Sequence, residues 1–203
     1  MKITNLTLAF LAAAAVGNIS AVNQEDLDKF QKTGTCNKCD LSGIDLRSYL
    51  KNLRFMNKSI DLSNSDLSWS NMADANLRAA NLNKCKLTDA NLSNADLTFA
   101  HLDYADARYA NFSKAILDFA SLSKGNFTHA NFENAKIDCS FFNRADVSEA
   151  KFNGATILGA IFEGTKGFSP DFRSVTWDNQ AKSNLRYAQF VNPLFFDKET
   201  ANK

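Results

Sequence analysis

From Ile60 to Gly164, large apolar residues return every five positions without a slip, through 21 consecutive pentapeptides such as S-D-L-S-W (65–69) and A-N-L-R-A (75–79). The large residue of each unit, its centre, is Leu, Phe, Met, Ile or Val at 20 of 21 positions from Leu62 to Phe162, and only Ala107 is small. Two residues before each centre stands Ala, Ser, Cys or Gly at 20 of 21 positions, Ile60 being the exception. Just before the centre, 12 of 21 residues are Asp or Asn. A period of five matches neither a helix nor an ordinary strand. It predicts stacked repeats, each burying its apolar face only against its neighbours.

Column spacings point to a coil of four such units. Asn recurs at Asn71, Asn91, Asn111 and Asn131, where stacked amides can bond as a ladder. Phe112, Phe132, Phe152 and Phe172 share one centre column at the same interval. Asp and Asn suit a tight corner, because their side chains bond nearby backbone.

The A-(D/N)-L-X-X pattern, over at least half the chain, resembles the pentapeptide-repeat family. That resemblance implies an all-β fold, a right-handed quadrilateral β-solenoid of four pentapeptides per coil with alternating small and large inward positions. The small column then has room for Ala where Leu would overpack. Coils spaced at roughly 4.8 Å make a rod of about 25 Å from five coils.

The chain is expected to divide into a signal peptide (1–21), a helical cap (22–35), the solenoid (36–192) and a tail (193–203). Lys2, the apolar run Leu6–Val16 and Ile19-Ser20-Ala21 fit an export signal too short for a comfortable span. Without Lys2, the 23 basic residues fall to 22 against 22 acidic ones, which argues against a nucleic-acid footprint. Asn23–Thr33 reads as a short helix, acidic early and basic late, stopped by Gly34, with Leu27 and Phe30 placed to cover the open first coil. Further units centre on Leu41 and Leu46. Leu46 and Leu62 stand 16 positions apart, one more than three units, so 49–59 should hold an irregular coil or a bulge. Thr165–Ser169 spoils one unit, and Leu185 and Phe190 resume the register three residues late, so Asn179–Lys182 reads as a loop. Pro193 closes the repeats. Leu194, Phe195 and Phe196 either cap the last coil or meet a second chain, since some relatives dimerise through terminal coils.

Candidate chemistry is sparse. Cys36-Asn-Lys-Cys39 followed by Asp-Leu-Ser-Gly looks like the opening of many exported pentapeptide-repeat proteins. A structural disulfide between Cys36 and Cys39 fits an oxidising compartment. The alternatives are a thioredoxin-type redox pair, which wants its first Cys at a helix N-terminus, and a zinc site, which needs two further ligands. Cys85 falls in the small inward column and should be a buried, inert thiol. Cys139 falls outward, too many coils from Cys85 to bridge it. His101 and His129 point outward from different faces. Trp69, Phe99, Tyr104, Tyr109 and Phe119 occupy fifth positions and form a candidate interaction surface, with Ile116, Phe141 and Ile161 as further apolar departures. The expected role is a non-enzymatic exported scaffold or protein-binding surface. It would have an unknown protein partner, no cofactor, no metal, no nucleic acid and no stable membrane anchor after signal cleavage. The alternatives are a thiol–disulfide redox protein using Cys36 and Cys39, and a secreted effector binding a host protein. Relatives that mimic DNA for topoisomerase are cytosolic and strongly acidic, unlike this chain.

Overall fold

The computed structural model describes residues 23–55, 59–185 and 187–194. The predicted signal segment, Phe195 and Phe196 lie outside them. From Thr35 to Leu194 the chain winds as a four-faced solenoid. Each Asp/Asn-position residue pairs in parallel with the residue 20 positions on, as in Asp61↔Asn81, Asn71↔Asn91 and Asn111↔Asn131. The repeat explains this pairing. In a unit such as 60–64 the centre N–H donates to the next coil (Leu62 N to the Asn81 carbonyl, 2.9 Å), while the N–H of the residue before the centre donates to the previous coil (Asn81 N to the Ile60 carbonyl, 2.9 Å). Two turn residues follow the centre, and the small residue closes the turn onto it (Ser65 N to the Leu62 carbonyl, 3.1 Å).

The second turn residue is left-handed throughout, for example Trp69 (φ 56), Phe99 (φ 61) and Tyr104 (φ 60). This is the type II arrangement, which normally favours Gly or Asn. Asp and Asn therefore stand on the flat of each face rather than at the corner. Their side chains reach forward to cap the turn, Asp61 Oδ1 accepting from Ser63 N–H at 3.0 Å. We number the faces by their centres. Face 1 carries Leu62 to Phe162, face 2 Leu67 to Gly167, face 3 Met72 to Phe172, and face 4 Leu77 to Trp177. Each corner takes the number of the face before it.

The interior is mostly apolar. Every centre from Leu62 to Phe162 is fully buried. On face 3 the phenyl rings stack face to face at 4.9, 4.9 and 4.7 Å from Phe112 to Phe172, each pair contributing about 0.5–1.5 kcal/mol beyond burial.

Both ends depart from the regular coil. Helix α1 (Gln24–Thr33) has Asn23 as N-cap, Gly34 as a left-handed C-cap and Leu27 and Phe30 buried, as the sequence predicts. The first coil advances 26 residues (Thr35↔Asp61), not 20. The segment 49–59, expected as an irregular coil or bulge, instead contains most of α2 (Arg47–Phe55). Its Leu50 is fully buried. The helix replaces a face because six extra residues cannot fit a flat side. At the other end the last coil advances 23 residues (Asp171↔Leu194). The extra three go into α3 (Asn179–Leu185), where a loop over 179–182 was expected. Its first turn is held by Asp178 Oδ1 accepting from Ala181 N–H at 2.7 Å. The unit 165–169 keeps the register but departs from the regular unit: its centre is Gly167, and Pro170 has no N–H to close the turn. Strand β1 (Lys166–Phe168) pairs in parallel with β2 (Gln189–Val191), and Phe190 stands beside Gly167, the centre that lacks a side chain. The solenoid thus runs past 192 to Leu194. None of the helices in the described residues is long and apolar enough to cross a membrane.

Candidate functional site

Outward side chains are set by the corners, so the candidates sort by column. Five aromatics predicted as one surface fall on three corners. Trp69 and Tyr109 stand on corner 2, Tyr104 on corner 1, and Phe99 and Phe119 on corner 4. Within each corner, neighbours twenty residues apart meet. Phe99 and Phe119 stack at 5.1 Å, and Tyr109 stacks on His129 at 4.6 Å. The ring of Tyr104 lies between Lys84 (6.0 Å) and Lys124 (5.0 Å), and its hydroxyl accepts from Lys124 Nζ at 2.7 Å. His129 Nδ1 also lies 3.3 Å from Glu149. His101 is on face 1 and His129 at corner 2, so the fold does not join them.

Corner 4 carries one group of exposed apolar side chains; Phe168 (53 %), Val191 (56 %) and Leu194 (45 %) are exposed near the C-terminal end of the described residues. Phe99 and Phe119 are each 49 % exposed and are followed down the same corner by Cys139. Phe141 (41 %) stands two residues beyond Cys139, and Leu158 (37 %) is the first turn residue of the next rung of the same corner. The sequence reading missed Leu158. Its signal was available, because it is the only large apolar residue directly after a centre between Leu62 and Phe162.

Cys36 and Cys39 meet as a disulfide with Cα atoms 5.4 Å apart, both buried. Cys36 occupies the centre column above Leu62 and Cys39 the small column above Ser65, so the pair folds around the first corner of the solenoid. The Asp26 carboxylate is the third potential ligand of this group. It is engaged in accepting from Asp40 N–H at 3.0 Å. With the two sulfurs bonded to each other, this set does not make a zinc tetrahedron. Cys85 follows Ser65 in the same small column and donates to the Leu62 carbonyl at 2.8 Å. Burial pushes its thiol up to about 12, which makes it unreactive.

Charges run in ladders. On face 2, Lys86 bridges Asp66 (3.2 Å) and Lys166 bridges Asp146 (3.1 Å). Burial alone would raise the Asp66 carboxyl, but bonds from Ser68 and Lys86 outweigh it and hold it below the usual range. The opposite holds at corner 4. Burial pushes the Asp118 carboxyl up and the like charge of Asp138 pushes the same way, against the bond it accepts from the Asp138 N–H.

Such columns, rigidly spaced and outward, can bind; they bring together no nucleophile and base among the described residues. The family description for pentapeptide repeats (8 copies) matches residues 60–98, 95–134 and 126–164. The chain belongs to the pentapeptide-repeat family and has its right-handed quadrilateral β-helix. No curated protein matches the chain. Among solved structures it is similar to HetL, a pentapeptide repeat protein involved in heterocyst differentiation regulation in the cyanobacterium Nostoc sp. strain PCC 7120 (20 % identity, 79 % of this chain, 80 % of that one, TM-score 0.38). It is also similar to a pentapeptide repeat protein of the Arabidopsis thaliana thylakoid lumen (25 %, 70 %, 82 %, 0.43). A third is QnrB1, a plasmid-mediated fluoroquinolone resistance protein (17 %, 83 %, 88 %, 0.41).

Proposed function

We propose that this protein is an exported, non-enzymatic scaffold that binds another protein through corner 4. The observation that carries the reading is the stacked pair Phe99 and Phe119 with Phe141 and Leu158 on the following rungs, each more than a third exposed. Clustered exposed apolar side chains of this kind are a usual mark of a protein interface. Export is supported by the pattern of residues 1–21 and by the Cys36–Cys39 pairing. A redox role for that pair is opposed by its burial, at 0 % and 3 % exposure, and by its position after helix α1 rather than at a helix N-terminus.

The test is crosslinking in the exported fraction with wild type and the Phe99→Ser, Phe119→Ser variant side by side. A partner held by the wild type and lost from the folded variant supports the reading. Equal recovery of the same partner by both removes corner 4 from the function.

A further inference from the structure

Corner 1 carries a second feature, unrelated to the apolar side chains of corner 4. Its left-handed positions hold a long side chain on successive rungs: Lys84, Tyr104, Lys124 and Arg144. Then comes Gly164 (φ 65), and the next rung is Tyr187, whose carbonyl accepts from Gly164 N–H at 3.1 Å. Gly164 carries no side chain, and Arg144 lies against it, an added Cβ falling 3.3 Å from Arg144 Cγ. There the surface forms a cleft of about 570 Å³, lined among others by Ser123, Lys124, Asn143, Arg144, Glu163 and Tyr187. That volume is in the range of small-molecule sites. Four rungs at roughly 4.8 Å make it an elongated cleft rather than a socket for a single ion.

The chemistry of the lining narrows the ligand. Neither Lys124 nor Arg144 is in an ion pair with any described residue, while Glu163 contributes one carboxylate, so the described lining carries two cations and one anion. Lys124 is held in place by Tyr104, through its hydroxyl and its ring. Arg144 offers a planar fork suited to a carboxylate. Ser123 and Asn143 supply neutral donors and acceptors, and Glu163 can accept from hydroxyls. Tyr187, 67 % exposed, adds an aromatic side chain to the lining. A dense polyanion would be repelled by Glu163, and a neutral sugar would leave both cations unpaired.

We propose that this cleft binds a short oligosaccharide bearing a single carboxylate, a uronate-type glycan. The carboxylate lies between Lys124 and Arg144, and the sugar ring packs against Tyr187. This site stands independently of the protein-binding reading of corner 4.

The probe is a trisaccharide with one uronate residue, titrated calorimetrically into the protein, with maltotriose and inorganic phosphate as comparison ligands. The uronate trimer should bind, with maltotriose and phosphate each weaker by roughly tenfold or more. Arg144→Gln and Lys124→Met should each weaken it by a similar factor. Gly164→Glu should abolish binding, because its chain would press on Arg144 and its carboxylate would compete with that of the ligand. It should keep the fold, because Glu149 occupies a left-handed corner position at φ 56; an unchanged melting curve checks this. No binding of the uronate trimer to wild type, binding of maltotriose or phosphate as tight as that of the trimer, or full binding by folded Gly164→Glu would each overturn the proposal.

Discussion

Gly125 and Phe127 offer the sharpest test of how the interior is filled. Two positions in the regular repeat stand out by size: Ala107, the one small centre, and Gly125, the one glycine in the small column. Both border Phe127, Ala107 one coil earlier in its column and Gly125 two residues before it. The Phe127 ring packs edge-on to Phe112 in the coil of Ala107 (6.2 Å) and to Phe142 in the next (5.9 Å), and against Phe132 at 5.8 Å. It also covers Gly125 so closely that an added Cβ would lie 2.5 Å from Cε2, 2.9 Å from Cζ and 3.2 Å from the Ala105 carbonyl oxygen. With three rings around it, Phe127 has nowhere to retreat. Gly125→Ala should therefore cost about 1–3 kcal/mol as overpacking. The backbone of Gly125 is not left-handed, so the loss of unfolded-state freedom offsets about 0.4–1 kcal/mol of that. The net loss should be about 0.6–2 kcal/mol, or a fall of roughly 1–8 °C in Tm for a chain of this size.

The double-mutant cycle separates this contact from general damage. Phe127→Leu alone leaves unfilled space and destabilises. Combined with Gly125→Ala it should cost less than the sum of the two, with a coupling of about 1–2 kcal/mol, because a Leu side chain frees the volume the new methyl needs. Denaturant unfolding of the four proteins measures it. Additivity within about 0.5 kcal/mol, or a neutral Gly125→Ala, would refute the packing argument.

Ala79 is an exposed left-handed residue (φ 54), so Ala79→Gly should leave stability unchanged or raise it by up to about 1 kcal/mol, whereas Gly at the adjacent buried Ala80 should lower it; equal thermal shifts would contradict the turn assignment. The raised carboxyl of Asp118 means the folded state holds its proton more tightly than the unfolded chain, so its charge works against folding once pH rises above the ordinary value of 3.8. Asp118→Asn keeps the Oδ1 acceptor for the Asp138 N–H, and should stabilise at pH 7 with the gain vanishing at and below about pH 4 in pH-dependent melting; a constant gain would mean charge is not the cause. Cys36→Ser with Cys39→Ser closes no long loop, so it should cost no more than about 2 kcal/mol; amide exchange should speed up first at Leu27 and Phe30, with the central coils unchanged.

The central coils were readable because each inward position tolerates only one size class. Spacing alone places Phe112 over Phe132 and Cys85 inside, and the structure agrees. The ends were not readable for the same reason inverted. Six extra residues around Leu50 and three around Asn184 break the count, and a helix of nine or seven residues is too short to show its own period. Tyr187 lies beyond the second break, which is why its meeting with Gly164 could not be foreseen. The role of Asp and Asn was half visible. Their bond to a turn was expected, but they make it from the flat of the face, as Asp61 does to Ser63. Nothing local announces that Phe99, Tyr104 or Phe119 is left-handed, a conformation bulky residues avoid. Ladder bonds on both sides impose it, as when Phe99 N–H donates to the Asp118 carbonyl at 3.0 Å.

That last point bears on which outward aromatics carry information. Because every corner is left-handed, strain at a corner does not mark a site here as it would in an ordinary loop. An aromatic at a corner costs about 1–2 kcal/mol in backbone conformation, and a stacked neighbour returns about 0.5–1.5 kcal/mol. Tyr109 on His129, and Tyr104 between two lysines, recover part of that cost within the ladder and leave polar atoms outward. Trp69 has Gly43 and Asp89 as its column neighbours and stands alone, and single exposed apolar residues are ordinary on any surface. Among the described residues, the stacked pair at corner 4 is followed by further exposed apolar side chains, Leu158 in a later turn of the same corner and Phe141 on the next face. Stacking accounts for Phe99 lying on Phe119, but it does not account for the hydrocarbon beside them. That unaccounted area, rather than any single aromatic, favours a partner at corner 4.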